Sequence, residues 1–228
     1  MPYFYYDWTM ILGIPGLLLG LYAQFKVKST FDRYSRIRTK SGLTAEAAAR
    51  MLLSRGGSTN VTISRVNGSL TDHYDPRSNT LRLSDTVYGS DSVAAVGVAA
   101  HECGHALQEH DGYGLLKLRS ALVPVVNIGS SLYLPIFMAG LLFSWEPLQM
   151  VGILCFGLTL LFSLVTLPVE INASKRALGM LEGVLDAEEL QGAKAVLSAA
   201  ALTYLASVIS SALQLLRLIL ISRSRNRD

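Results

Sequence analysis

Hydrophobic and polar positions fall into two registers along this chain. Four stretches carry no charge: eighteen residues between Asp7 and Lys26, twenty-six between Arg119 and Glu146, twenty-three between Glu146 and Glu170, and twenty-two between Lys194 and Arg217. About 20 apolar residues of helix cross a bilayer core of about 30 Å, so each stretch is long enough to span. The first reads as a retained helix and not as a cleaved leader. No basic residue precedes it, only Asp7 and the aromatics before it, and no clear small-residue cleavage site follows. Pro15 is expected to kink it, which neighbouring helices tolerate.

The segment between the first two spans has a different rhythm. Residues 41–57 read as a helix, with Thr44 as N-cap and Gly56 as its stop. Val61 and Ile63 alternate with polar neighbours as in a half-buried strand, and Asn67-Gly68 supplies a turn. A second turn at Asp75-Pro76 leads to a short strand from Thr80 to Leu83. A helix rich in alanine and valine then runs from a cap at Ser90 or Asp91 to about Gln108, with Gly112 and Gly114 ending it. The organisation expected is a first transmembrane helix (1–25), a soluble α+β insert (26–116), a transmembrane hairpin (117–169), a short insert (170–193), and a last transmembrane helix with a basic tail (194–228). The fold class is mainly α and integral to the membrane.

Composition agrees: half of the residues are hydrophobic and 16% are charged, against about 25% charged in a soluble domain. With four spans, Lys26, Lys28, Arg33, Arg36, Arg38, Lys40, Lys117, Arg119, Lys175, Arg176 and Lys194 fall on one side. Arg217, Arg223, Arg225 and Arg227 fall on the other. The majority puts residues 26–119 in the cytoplasm. These cations flank spans, where they meet anionic lipid head groups, so no nucleic-acid partner is expected. Cys103 and Cys155 are the only cysteines and form no disulfide framework.

The chemistry is concentrated in "VAAHECGHAL", residues 98–107. Residues four apart share a helical face, so His101 and His105 project together, with Glu102 one residue round. Two imidazoles on adjacent turns hold one zinc ion at about 2.0–2.1 Å. Zinc polarises a scissile carbonyl and acidifies water, and the glutamate is placed to take that proton and pass one to the leaving amine. This is the H-E-x-x-H arrangement of zinc peptidases. Gly104 lets another backbone approach, and Cys103 points away from the histidine face.

A catalytic zinc needs a third protein ligand, and two candidates stand in the sequence. Asp111 lies ten residues after His101, but a chain turning there needs glycine where Gln108 stands, and His110 is one residue out of register. Glu170 lies at the end of the third apolar stretch, where a charge must be paired or functional. Two spans separate it from His105, and an even number returns the chain to the same side of the membrane. Glu170 is the favoured ligand.

"HECGHALQ", followed after a hairpin by "VEINASKRAL", resembles the putative neutral zinc metallopeptidase family of bacterial membrane proteins (YugP-like), over essentially the whole chain. More distantly the chain is similar to HtpX-like membrane proteases of the gluzincin plan. That resemblance implies a gluzincin-like insert with one zinc ion per chain, completed by the glutamate of an E-x-x-A-D motif. Glu170 matches that glutamate and Ala173 the alanine, while Ser174 stands where relatives carry an aspartate that supports a histidine ligand.

The expected function is a membrane zinc endopeptidase of the bacterial plasma membrane, with His101, His105 and Glu170 on the metal and Glu102 as general base. Protein or peptide substrates and the lipid bilayer are the expected partners. The competing reading is a non-catalytic membrane scaffold with a structural zinc site. "NTLRLSD" is the candidate edge strand for aligning a substrate. Tyr74, Tyr88, His73 and Asn172 are all candidates for stabilising an oxyanion.

Overall fold

The computed structural model describes residues 8–225, so Asp7, the aromatics before it and Arg227 lie outside the described residues. A 3-10 turn at Trp8–Leu12 leads into α1 (Gly13–Tyr34). There follow α2 (Ala45–Arg55), β1 (Thr62–Val66), β2 (His73–Asp75), β3 (Thr80–Ser84), α3 (Val93–His110), α4 (Gly114–Leu142), α5 (Glu146–Leu181) and α6 (Ala187–Arg225). Four helices are long and apolar enough to cross a membrane: Thr9–Tyr34, Gly114–Leu142, Glu146–Leu181 and Ala187–Ser224. The chain is thus a multi-pass membrane protein with a small α+β insert. Pro15 falls in the first turn of α1, just after the 3-10 turn that leads into it.

The chain divides into two compact units. One comprises Met1–Ala23, Leu118–Leu167 and Thr203–Asp228. Its outward side chains are apolar, among them Leu17, Leu18, Leu142, Leu154 and Leu164, a surface that suits lipid. Small residues bring its helices together. A Cβ on Gly140 would lie 2.6 Å from the Gln149 nitrogen, and one on Gly152 would lie 2.7 Å from Phe137 Cβ. Gln149 is buried and satisfied: its Nε2 donates to Gly140 O at 3.1 Å, and its Oε1 accepts from Ser222 Oγ at 2.7 Å.

The other unit comprises Gln24–Lys117 and Pro168–Leu202. Its core is built around α3, whose Val93, Ala94, Ala95, Val96, Ala99, Ala100, Cys103 and Ala106 are all buried. The first two turns of α3 are apolar on every side, and their small side chains let neighbours close around them. Helix α2 packs on it through Ala45, Ala48, Ala49, Leu52 and Leu53. Thr44 caps α2 as expected, accepting from Ala47 N at 3.3 Å. The cap of α3 is Ser92, which accepts from Ala95 N at 3.2 Å, and not Ser90 or Asp91. Three consecutive polar residues can all cap; the hydrogen bond from Val93 N to Ile37 O selects the last. Gly112, with φ +68°, ends the helix as expected, but Gly114 opens α4.

The sheet has the order β1-β3-β2, with β1 parallel and β2 antiparallel to β3. This corrects the expectation for "NTLRLSD": β3 is the central strand, with both backbone edges paired. Leu81 and Leu83 are fully buried, and β1 and β2 form the edges.

Candidate metal centre

Helix α3 presents His101, His105 and Gln108 on one stripe, at the i, i+4, i+7 spacing. Helix α5 runs through Glu170 without a break and continues to Leu181. Where the two helices meet, Gly104 faces Ala173, and a Cβ there would lie 2.5 Å from the Ala173 carbonyl oxygen. Glycine on one helix and a buried alanine on the other therefore set the approach. One turn away on α5 from Ala173, Glu170 is brought against the two histidines.

The result is a cluster in which one ligand atom each from His101, His105 and Glu170 lie within 4.8 Å of one another. Glu170 Oε2 is 3.2 Å from His101 Nε2 and 3.5 Å from His105 Nε2. The rings are edge-on to each other, at 4.8 Å between centroids. Glu170 is 2% exposed, and a buried carboxylate requires charged or hydrogen-bonding partners. Burial opposes charging of His105, but the carboxylates of Glu170 and Glu102 outweigh it and hold the imidazole above the ordinary histidine range.

The outer nitrogens are also engaged. His101 Nδ1 meets Ser174 Oγ at 3.2 Å. Serine thus reaches a histidine ring from the position where the motif it resembles carries an aspartate. His105 Nδ1 meets Gln108 Oε1 at 2.9 Å, and Gln108 Nε2 donates to Val169 O at 2.8 Å and Asn172 Oδ1 at 2.9 Å. Reading the sequence found Gln108 only as an obstacle to a turn. Its position three residues after His105, on the same stripe, is the signal that finds it. The two Nε2 atoms are left facing Glu170. Two imidazoles and one carboxylate, oriented by outer hydrogen bonds, are a donor set that fits zinc.

Glu102 is 8% exposed, and its Oε2 accepts the backbone N–H of Tyr74, on edge strand β2, at 3.0 Å. Asp111, the alternative third ligand, is elsewhere: Arg176 Nη1 and His110 Nδ1 contact its carboxylate, Arg176 at 2.5 Å. The Arg176 guanidinium foremost holds its carboxyl below the usual range. Cys103 faces away, 3.7 Å from Ala49 O, and burial pushes its thiol up. Both cysteines are free thiols. Of the candidate oxyanion donors, Tyr74 donates its hydroxyl to Asn79 at 2.8 Å, and the nearby Glu46 carboxylate foremost pushes the Tyr88 phenol up. His73 Nδ1 lies 2.9 Å from Thr71 O, and Asn172 Oδ1 accepts from Gln108 and Arg176.

The chain is 44% identical over 214 residues, 93% of its length and 95% of the relative's, to the "Putative membrane protease YugP" of Bacillus subtilis (strain 168). No solved structure matches it. The profile of one family covers residues 9–223, which leaves out only the last residue of the fourth span. By that coverage, the chain belongs to the family described as putative neutral zinc metallopeptidases.

Proposed function

We propose that the protein is a membrane zinc endopeptidase of gluzincin type, in which His101, His105 and Glu170 hold one zinc ion and Glu102 handles the proton. The reading is supported above all by the meeting of those three ligand atoms within 4.8 Å, beside a buried glutamate on the same helix as both imidazoles. Zinc bound there supplies a Lewis acid for the scissile carbonyl and a low pKa for the attacking water. Glu102, buried beside the two histidines, would hold the proton that water gives up and pass one to the leaving amine. Ser174 and Gln108 orient the two rings.

The outer edge of β2, which runs beside Glu102, is the place where an extended peptide adds, with the Tyr74 N–H released from Glu102 to the incoming strand. The active site faces the cytoplasm of a bacterial cell, on the side that carries eleven of the flanking cations. Its substrates are membrane proteins or membrane-associated peptides, because Glu170 belongs to a membrane-spanning helix.

A non-catalytic scaffold with a structural zinc predicts four protein ligands; the metal-binding group among the described residues has three. Purified protein in detergent, incubated with casein and with membrane-protein substrates, decides between them. Cleavage is expected to stop with chelator, return with zinc, and fall by about 10²–10⁴-fold in Glu102→Gln. Full cleavage by Glu102→Gln would refute the assignment.

A further inference from the structure

We infer that Gln108 is a positioning residue that fixes the tautomer of His105, and that its anchorage runs through Asn172 and Arg176 to Asp111 at the surface. The inference rests on the reading of His101, His105 and Glu170 as metal ligands.

The assignment follows from groups whose hydrogen-bonding roles cannot be exchanged. The Val169 carbonyl oxygen only accepts, so the Gln108 atom 2.8 Å from it is the amide nitrogen. Arg176 Nε only donates, so the Asn172 atom 2.9 Å from it is the carbonyl oxygen. That oxygen also receives the second N–H of Gln108, at 2.9 Å. Both donors of Gln108 are thereby used, and its remaining atom, an oxygen, faces His105 Nδ1 at 2.9 Å. An oxygen there only accepts, so Nδ1 carries the hydrogen. In the neutral ring the lone pair is then on Nε2, the nitrogen facing Glu170.

Gln108 is fully buried, so no water takes over a lost bond. The far end of the chain is the ion pair of Arg176 with Asp111, whose side chains are 28% and 47% exposed. Arg176 spans it, with Nε on Asn172 and Nη1 on Asp111.

His101 is held differently. Its Nδ1 faces the Ser174 hydroxyl at 3.2 Å, and a hydroxyl donates or accepts equally well. Ser174 therefore orients the ring without choosing its tautomer. One ligand is locked and the other is not, which gives the two supporting residues unequal weight.

The test is zinc affinity of the full-length protein in detergent, by competition with a chromogenic chelator, together with 15N spectra of histidine-labelled, zinc-loaded protein. Gln108→Met, similar in size but without the amide, is expected to lose about 10–100-fold in affinity, and Ser174→Ala is expected to lose less. Ser174→Asp, an acceptor that does choose the tautomer, is expected to bind zinc more tightly than wild type. Asp111→Asn is expected to weaken binding less than Gln108→Met. In the spectra, His105 is expected to ligate through Nε2 with Nδ1 protonated. Ligation through Nδ1 overturns the inference even if Gln108→Met does not fold. Equal affinities of wild type and folded Gln108→Met, with zinc lost in Glu170→Ala, overturn it alone. Zinc retained in Glu170→Ala overturns the underlying ligand assignment instead.

Discussion

Replacing Gly104 by alanine should damage metal binding more than folding. The added Cβ would sit 2.5 Å from the Ala173 carbonyl oxygen and 3.2 Å from Ala173 Cα. An ordinary contact begins near 3.4 Å, so α3 and α5 must part by close to 1 Å or shear past each other. The obstacle is backbone and no rotamer relieves it. Overpacking of this kind costs about 1–3 kcal/mol, which a core the size of that around α3 can absorb. A metal site is less forgiving, because its ligands must be held within about 0.5 Å of working geometry. His101 and His105 flank Gly104 on α3, and Glu170 lies one turn from Ala173 on α5, so the displacement falls directly on the proposed ligands. The assay pairs a thermal melt in detergent with zinc competition and cleavage. Gly104→Ala is expected to remain folded, with a lowered melting temperature, and to lose at least tenfold in zinc affinity. Gly97→Ala, whose Cβ would meet Ala193 Cβ at 3.3 Å, is the comparison and should change zinc affinity little. Wild-type zinc affinity in Gly104→Ala would refute the claim that the Gly104–Ala173 approach sets the ligand geometry.

Glu170→Ala is expected to abolish zinc binding, measured as metal per protein after gel filtration, whereas Asp111→Ala keeps the metal in place with modestly reduced affinity. Asp75, on β2, has its carboxyl held down to about 2 by Ser78, Arg82 and the Arg77 N–H. Its folded value is below its unfolded one, so the stability it contributes is present above about pH 4 and disappears as pH falls towards about 2. Acid melts of wild type and Asp75→Asn should therefore converge over that window and differ above it; a constant difference across it would contradict the reading.

The sequence makes some of this legible and hides the rest for physical reasons. Helical spacing alone puts His101 and His105 on one face. Counting spans puts Glu170 on their side of the membrane, because parity survives ignorance of packing. Strand order is different. "NTLRLSD" reads as a strand by alternation, but nothing in that alternation says whether its edges are open, and a parallel partner, β1, lies across it. The start of α3 reads as Ser90 or Asp91, since each has a capping oxygen, whereas the cap is Ser92, next to the tertiary bond from Val93 N to Ile37 O. Helix α5 outlasts its apolar stretch because hydropathy marks where lipid ends, whereas a helix ends only at a stop signal. Gln108 shows the same limit in the site itself. Its spacing from His105 is visible, but its role depends on Val169 and Asn172, more than sixty residues away.

The proposed enzyme stands or falls with a carboxylate from α5 closing a metal site begun by two imidazoles of α3. Anomalous diffraction at the zinc edge, on crystals of wild type and of Glu170→Ala, tests it directly. Predicted is one zinc peak in wild type, in contact with His101, His105 and Glu170 and with a coordination position free of protein, and no such peak in the variant. A peak held by four protein ligands, or one that persists without Glu170, would contradict it.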